Sequence, residues 1–196
     1  YRCAVLSAET SSQIHLIQMA SILKQKPYRG ADRMSESDLT EAIDWLSERF
    51  VFIDESDTEI NSVLDRTHAA ILRNGIRLLI VDPYNFLTGS MDDVAGINKL
   101  LVSLKSFAVE HGIAIWLVAH PVKMYPQQDG TTPVPTGYSV AGSSSFFNVC
   151  DSGLTVSRKD TGESLITCWK SRFPWVGETG EATVNFDKET LVFSEL

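Results

Sequence analysis

The chain has 196 residues, 43% of them hydrophobic and 21% charged, the balance of a protein that buries a sizeable core and not of a disordered one. Its net charge of −8 excludes a surface coated with contacts to nucleic-acid phosphates, so any such site has to be local, on a few loops. Cys3, Cys150 and Cys168 are scattered without a C-x-x-C pair and read as buried free thiols of a reducing compartment, and no apolar run is long enough to span a membrane.

In chain order, "RCAVLSA" is short and apolar and closes on Glu9, which predicts a strand. "SSQIHLIQMASILKQ" carries Ile14, Ile17, Met19, Ile22 and Leu23 at near-helical spacing, with Ser11 or Ser12 as the N-cap. A broken polar stretch leads to "LTEAIDWLSER", where Leu39, Ile43 and Leu46 share one helical face. "FVFID" predicts a short buried strand. "DTEINSVLDRTHAAILRNG" predicts a helix with Ile60, Val63, Leu64 and Ile71 inward and Gly75 as its stop. "IRLLIVD" is the next strand, "MDDVAGINKLLVSLKSFAVEHG" the next helix, ending on Gly112, and "IAIWLVAH" a further strand. Alternation of this kind predicts a parallel sheet with helices on its faces.

After His120 the texture changes. Residues 121–145 are rich in Pro, Gly, Thr and Ser, and a loop that long inside a domain is functional or disordered. Four short runs separated by turn signals then predict an antiparallel meander. "ETGEATVNFDKET" reads as a hairpin, because its carboxylate spacing does not suit a calcium loop. His15, His68 and His111 lack a metal-ligand spacing and read as surface or helix-end residues. Trp45, Trp116, Trp169 and Trp175 read as core or edge packing.

Ligands of open parallel sheets sit outside the carboxyl ends of the strands. Three strands here end on groups able to do chemistry: Glu9, Asp82 and His120. Each taken alone is more often a turn former or a helix cap than a catalyst. Together they suit phosphoryl transfer. A carboxylate at the mouth of an apolar strand can hold the water shell of a magnesium ion that bridges nucleotide phosphates. A neighbouring glutamate can take a proton from an attacking water, and a histidine on the next strand can sense the γ-phosphate.

The series "LSAET", "LLIVDPYN", "WLVAHPVK", "AGSSSFFNVCDSGLTVSR" and "WKSRFPWVGETGEATVNFD" resembles the helicase core of DnaB-type hexameric replicative helicases. It is especially similar to the Twinkle and phage primase–helicase branch. The resemblance runs from Val5 to about Phe193 and rests on the order and spacing of all five motifs, since each is weak by itself. It implies one RecA-like (P-loop NTPase-type) domain over residues 1–196: a mostly parallel sheet with flanking helices and a C-terminal antiparallel meander. It implies ATP and Mg²⁺ as ligands, single-stranded DNA as partner, a homo-hexameric ring, and the cytoplasm of a bacterial or phage-infected cell.

Residue by residue, the resemblance makes Glu9 the glutamate that activates water and Asp82 the Walker B aspartate, which reaches Mg²⁺ through water. His120 becomes the γ-phosphate sensor. Arg172 becomes the arginine finger for the neighbouring subunit, with Lys170 beside it as a second cation. A guanidinium, planar and permanently charged, suits developing phosphoryl charge. Residues 121–145 match the loop that grips single-stranded DNA, with Lys123 as the phosphate contact and Gly142 and Ser143 allowing close backbone approach. Tyr125 and Tyr138 are candidates for base stacking. "FLTGSMDD" matches the other channel loop but is acidic.

One part of the pattern is missing. No G-x-x-x-x-G-K-[S/T] occurs, nor any Gly-Lys dipeptide, and that loop is what cradles phosphates in such proteins. The chain also starts without Met, on a strand, so a truncated N-terminus is expected. The competing readings are a non-catalytic RecA-like module that oligomerises or binds DNA, and a RecA- or KaiC-like ATPase.

Overall fold

The computed structural model describes residues 1–54, 56–87, 94–125, 132–140, 144–159 and 162–196. The chain divides into two compact units. The first comprises Tyr1–Gly89, Ser103–Ala119 and Asp187–Val192. Its centre is a parallel sheet of β1 (Arg2–Ser7), β2 (Phe50–Phe52), β3 (Ile76–Asp82) and β4 (Ala114–Leu117), in the order β2-β1-β3-β4. Ala4, Val5, Leu6 and Ser7 are all buried, so β1 is covered on both faces, as an interior parallel strand requires. β4 ends the sheet and is half open: Trp116 on its outward face is 63% exposed.

The helices are α1 (Ser12–Lys24), α2 (Glu36–Ser47), α3 (Ile60–Asn74) and α4 (Val94–His111). α1 and α2 share a small core of Ala20, Met34, Ala42 and Leu46, with Leu16, Met19, Leu39 and Phe50 against it. The periodicity of α1 locates the helix but not its inner face. Ile14, Ile22 and Leu23 are exposed, while the small Ala20 and Ser21 are buried. α2 starts in a capping box: Ser35 Oγ accepts the Asp38 N–H at 3.0 Å, and Asp38 Oδ2 accepts the Ser35 N–H at 3.1 Å. α3 buries Ile60, Val63, Thr67 and Ala70 and ends on Gly75 at φ 66°, where the left-handed stop favours glycine.

The second unit comprises Ser90–Val102, His120–Phe186 and Phe193–Leu196. It holds the expected meander, an antiparallel sheet of β5 (Ser152–Arg158), β6 (Ser164–Ser171), β7 (Gly180–Phe186) and β8 (Phe193–Glu195) in sequence order. The β7–β8 hairpin is the one read from "EATVNFDKET", with Phe186 paired to Phe193. A five-residue helix, α5 (Ser145–Val149), precedes β5; it is too short to show a helical period in sequence.

Trp169 organises this unit. Its indole lies flat over Gly153 and stacks on Phe147 at 5.3 Å, and Phe147 in turn stacks on Tyr138 at 4.2 Å. The indole N–H donates to Thr155 Oγ1 at 3.2 Å, and that hydroxyl donates to the Pro135 carbonyl at 2.6 Å. The end of the long loop, from Pro135 to Val140, is thereby fastened to the β5–β6 pair. Among the tryptophans only Trp169 packs inside; Trp175 is 81% exposed, and Trp45 lies under the Arg49 guanidinium at 4.0 Å.

Candidate functional site

The first unit brings Glu9 and Asp82 to one edge of the sheet. Parallel pairing of β1 with β3 sets Ser7 beside Asp82, the last residue of each strand, about 5 Å apart at the usual strand spacing. Glu9 follows two residues after Ser7 and is exposed, whereas Asp82 is half-buried. Behind it Pro83 is fully buried and Tyr84 is 6% exposed. The Tyr84 N–H donates to Val118 O, and the Val118 N–H donates to Val81 O, both at 2.9 Å. Bonds on both sides of Asp82 thus fix the strand exit, and burial raises the pKa of the Tyr84 phenol.

The turn that carries Glu9 has its own fastening, which the sequence reading missed. Ser7, 6% exposed, accepts the Thr10 N–H at 3.3 Å and is hydrogen-bonded to His15 Nε2 at 2.9 Å. The His15 ring stacks toward Phe52 of β2, with centroids 6.3 Å apart. A serine two residues before a glutamate and a histidine one helical turn into α1 are the only sequence signals of this arrangement. His15 is therefore a support of the strand exit rather than a free surface group.

The donors at this edge are hard oxygens, the type magnesium takes. One carboxylate suits an ion that keeps most of its ligands as water and phosphate, not an all-protein cage. Among the described residues no group of three His, Cys, Asp or Glu is gathered for a metal.

The second unit holds the other candidates. His120 is exposed at its start. Lys123 is exposed, with its ammonium 5.5 Å from the centre of the Tyr125 ring, a pairing of cation and aromatic face that suits a phosphate next to a base. Tyr138 is 59% exposed yet rests on Phe147, so it offers one face. Gly142 and Ser143, and much of "FLTGSMDD", lie outside the described residues.

Arg172 and Lys170 differ sharply. The Arg172 backbone N–H donates to Asp151 O at 2.8 Å, which fixes the end of β6, while its guanidinium meets the Asp151 carboxylate at 3.3 Å in an exposed pair. Such a pair contributes at most about 1 kcal/mol, so the guanidinium is readily released to a stronger anion. The Lys170 ammonium instead donates to the carbonyls of Phe147 and Asn148, the latter at 3.3 Å, and lies 5.0 Å over the Phe147 ring. It closes the C-terminal end of α5, where a cation is favoured. It reaches a phosphate only by leaving those bonds.

No family model matches the chain. Its sequence is 30% identical over 214 aligned positions to the Twinkle homolog protein, chloroplastic/mitochondrial, of Arabidopsis thaliana, with all of this chain aligned. The chain spans 30% of that protein's length. Two solved structures share the fold over the whole chain. One is a solved ATPase domain, with a TM-score of 0.80 at 18% identity and 74% of that chain covered. The other is a DnaB-like replicative helicase described in its interactions with primase, with a TM-score of 0.81 at 19% identity and 52% covered. No helix among the described residues is long and apolar enough to cross a membrane. Along its whole length the chain is thus similar in sequence to part of a Twinkle homolog, and it has the RecA-like fold of these two solved structures.

Proposed function

We propose that residues 1–196 are the motor core of a ring-forming, ATP-driven helicase that moves along single-stranded DNA and unwinds duplex in replication. The observation that supports this most is the pairing of Ser7 with Asp82, which sets two carboxylate-bearing strand exits side by side in a chain that aligns throughout with a Twinkle homolog. Magnesium-bound ATP, when present, supplies the phosphoryl group whose transfer to water drives the motor. Asp82, at the mouth of β3, would hold the magnesium ion. Glu9 takes the proton of the attacking water, its turn held by the Ser7 hydroxyl and His15. His120 donates a hydrogen bond to the γ-phosphate and reports its loss. Arg172 leaves Asp151 and meets the phosphoryl charge of a neighbouring copy's site, so that six copies form a closed ring with sites at their interfaces.

In this proposal Lys123 holds DNA phosphate, with Gly142 and Ser143 close to the strand, and Lys170 serves as a second cation once released from α5. The compartment is the one that holds the replicating DNA, the cytoplasm of a bacterial or phage-infected cell. The test is DNA-stimulated ATP turnover of the full-length protein. Glu9→Gln loses on the order of 10²–10⁴-fold, as removal of a general base does, and Arg172→Ala loses about 10³-fold or more. Wild-type turnover in both variants overturns the roles and leaves a non-catalytic DNA-binding or oligomerising module.

A further inference from the structure

We infer that His15 and Ser7 form a proton-operated control on the carboxylate edge of the sheet. A neutral His15 draws the Ser7 hydroxyl to itself, and a charged His15 turns that hydroxyl toward Asp82. The inference rests on the proposed motor only for what Asp82 holds; the hydrogen-bond chain comes from the fold.

One face of the sheet carries the parts. Val5 pairs with Phe52 on one side and with Ile80 on the other. Ser7 and Asp82, paired with each other, follow Val5 and Ile80 by two residues and so share their face. His15 meets that face at two points. Its Nε2 lies 2.9 Å from Ser7 Oγ, and its ring stacks toward Phe52 with centroids 6.3 Å apart. The charged groups on the elements around the ring are Glu9 on the turn, Asp54 beyond β2 and Asp82 at the end of β3. On α1 itself the first charged residue is Lys24, which pairs with Glu41 of α2 at 2.7 Å; the other carboxylates of α2 are Glu36, Asp38 and Asp44.

The control follows from counting protons. Ser7 is 6% exposed, and its oxygen accepts the Thr10 N–H at 3.3 Å. A hydroxyl has one proton to give and two lone pairs. A neutral imidazole protonated on Nδ1 takes that proton on Nε2, which completes a line from the Thr10 N–H through Ser7 to His15. An imidazolium has donors at both nitrogens and no acceptor. Its Nε2–H fills the second lone pair of Ser7, and the serine proton has to leave the pair. A buried hydroxyl needs an acceptor. Asp82 is the neighbour across the strand pair, about 5 Å away at the usual spacing. Rotation about the Cβ–Oγ bond re-aims the proton without moving the backbone. A carboxylate oxygen that accepts it has fewer lone pairs left for a cation, so acid weakens the edge.

The test is nuclear magnetic resonance of the full-length protein with labelled histidine and aspartate, titrated between about pH 8 and about pH 5, where histidine changes charge. At the alkaline end the His15 nitrogens carry the signature of the Nδ1–H form. As the ring gains its second proton, the Asp82 carboxyl carbon shifts with the same midpoint. In Ser7→Ala the ring still titrates and the Asp82 shift is lost. In His15→Gln, which stays uncharged, that shift is lost as well. An Nε2–H ring at the alkaline end, an Asp82 carbon that does not follow His15, or an equal shift in Ser7→Ala overturns the inference. DNA-stimulated ATP turnover is the second arm: between about pH 8 and about pH 6 the wild type loses on the order of tenfold more than His15→Gln. Equal pH profiles, in a protein whose turnover still needs Glu9, overturn the control and leave the motor standing. Wild-type turnover in Glu9→Gln overturns the motor alone, and the resonance titration still decides the control.

Discussion

Gly153→Ala tests how the loop and the meander are held together. A Cβ at Gly153 would lie 2.0 Å from Cη2, 2.2 Å from Cζ2 and 2.3 Å from Cζ3 of Trp169. Ordinary carbon contacts need about 3.5–4.0 Å, so the indole has to retreat by about 1.5 Å. Retreat breaks its bond to Thr155 and opens its stack on Phe147. Overpacking costs about 1–3 kcal/mol, the hydrogen bond about 1 and the aromatic pair about 1. The expected loss is therefore about 4 kcal/mol, or on the order of 12 °C in Tm for a chain of this size. Thermal unfolding followed by near-ultraviolet circular dichroism measures it. In a Trp169→Ala background the clash is gone, and Gly153→Ala costs under about 0.5 kcal/mol. A Gly153→Ala protein as stable as wild type, or an equal cost in both backgrounds, refutes the reasoning.

Three further outcomes follow from single side chains. Ser7→Ala removes the acceptor of the Thr10 N–H and the partner of His15, so ATP turnover of the full-length protein falls about ten- to a hundredfold through misplacement of Glu9 while Ser7→Thr restores most of it. Asp38 is held down to about 2, first by its hydrogen bond from Lys26 and then by those from Ser35. A depressed carboxylate stabilises the fold above its ordinary pKa near 4. That stability is lost as pH falls through about 2, so acid unfolding followed by circular dichroism between those values is shallower in Asp38→Asn. Lys170→Met frees the C-terminal carbonyls of α5, so the amides of Ser145–Val149 exchange faster with deuterium, by about tenfold for a lost charge-assisted bond of about 1.5 kcal/mol.

The alternation of β-branched runs with helical patterns carried the parallel sheet, because "RCAVLSA" and "IRLLIVD" each have one reading. The positions of Glu9 and Asp82 followed, since strand ends are where a parallel sheet exposes side chains. What stayed hidden depends on contacts across the chain. α5 is shorter than two helical turns, and Ser7 shows its partner His15 only once the chain turns back after β1 and brings the start of α1 to it. Gly153 looks like any strand glycine until Trp169 lies on it. Lys170 and Arg172 look alike in "WKSR", yet one ends on the α5 carbonyls and the other on an exposed carboxylate.

The central claim is that Glu9 and Arg172 of neighbouring copies complete one ATP site. Full-length Glu9→Gln and Arg172→Ala proteins, each with little DNA-stimulated turnover alone, are mixed in equal amounts and reassembled. One quarter of interfaces then pairs an intact Glu9 with an intact Arg172 from the other copy, so turnover recovers toward about a quarter of wild type if sites act independently. Mixed rings that assemble and stay as inactive as either variant, or Arg172→Ala rings that hydrolyse ATP at the wild-type rate, contradict the claim.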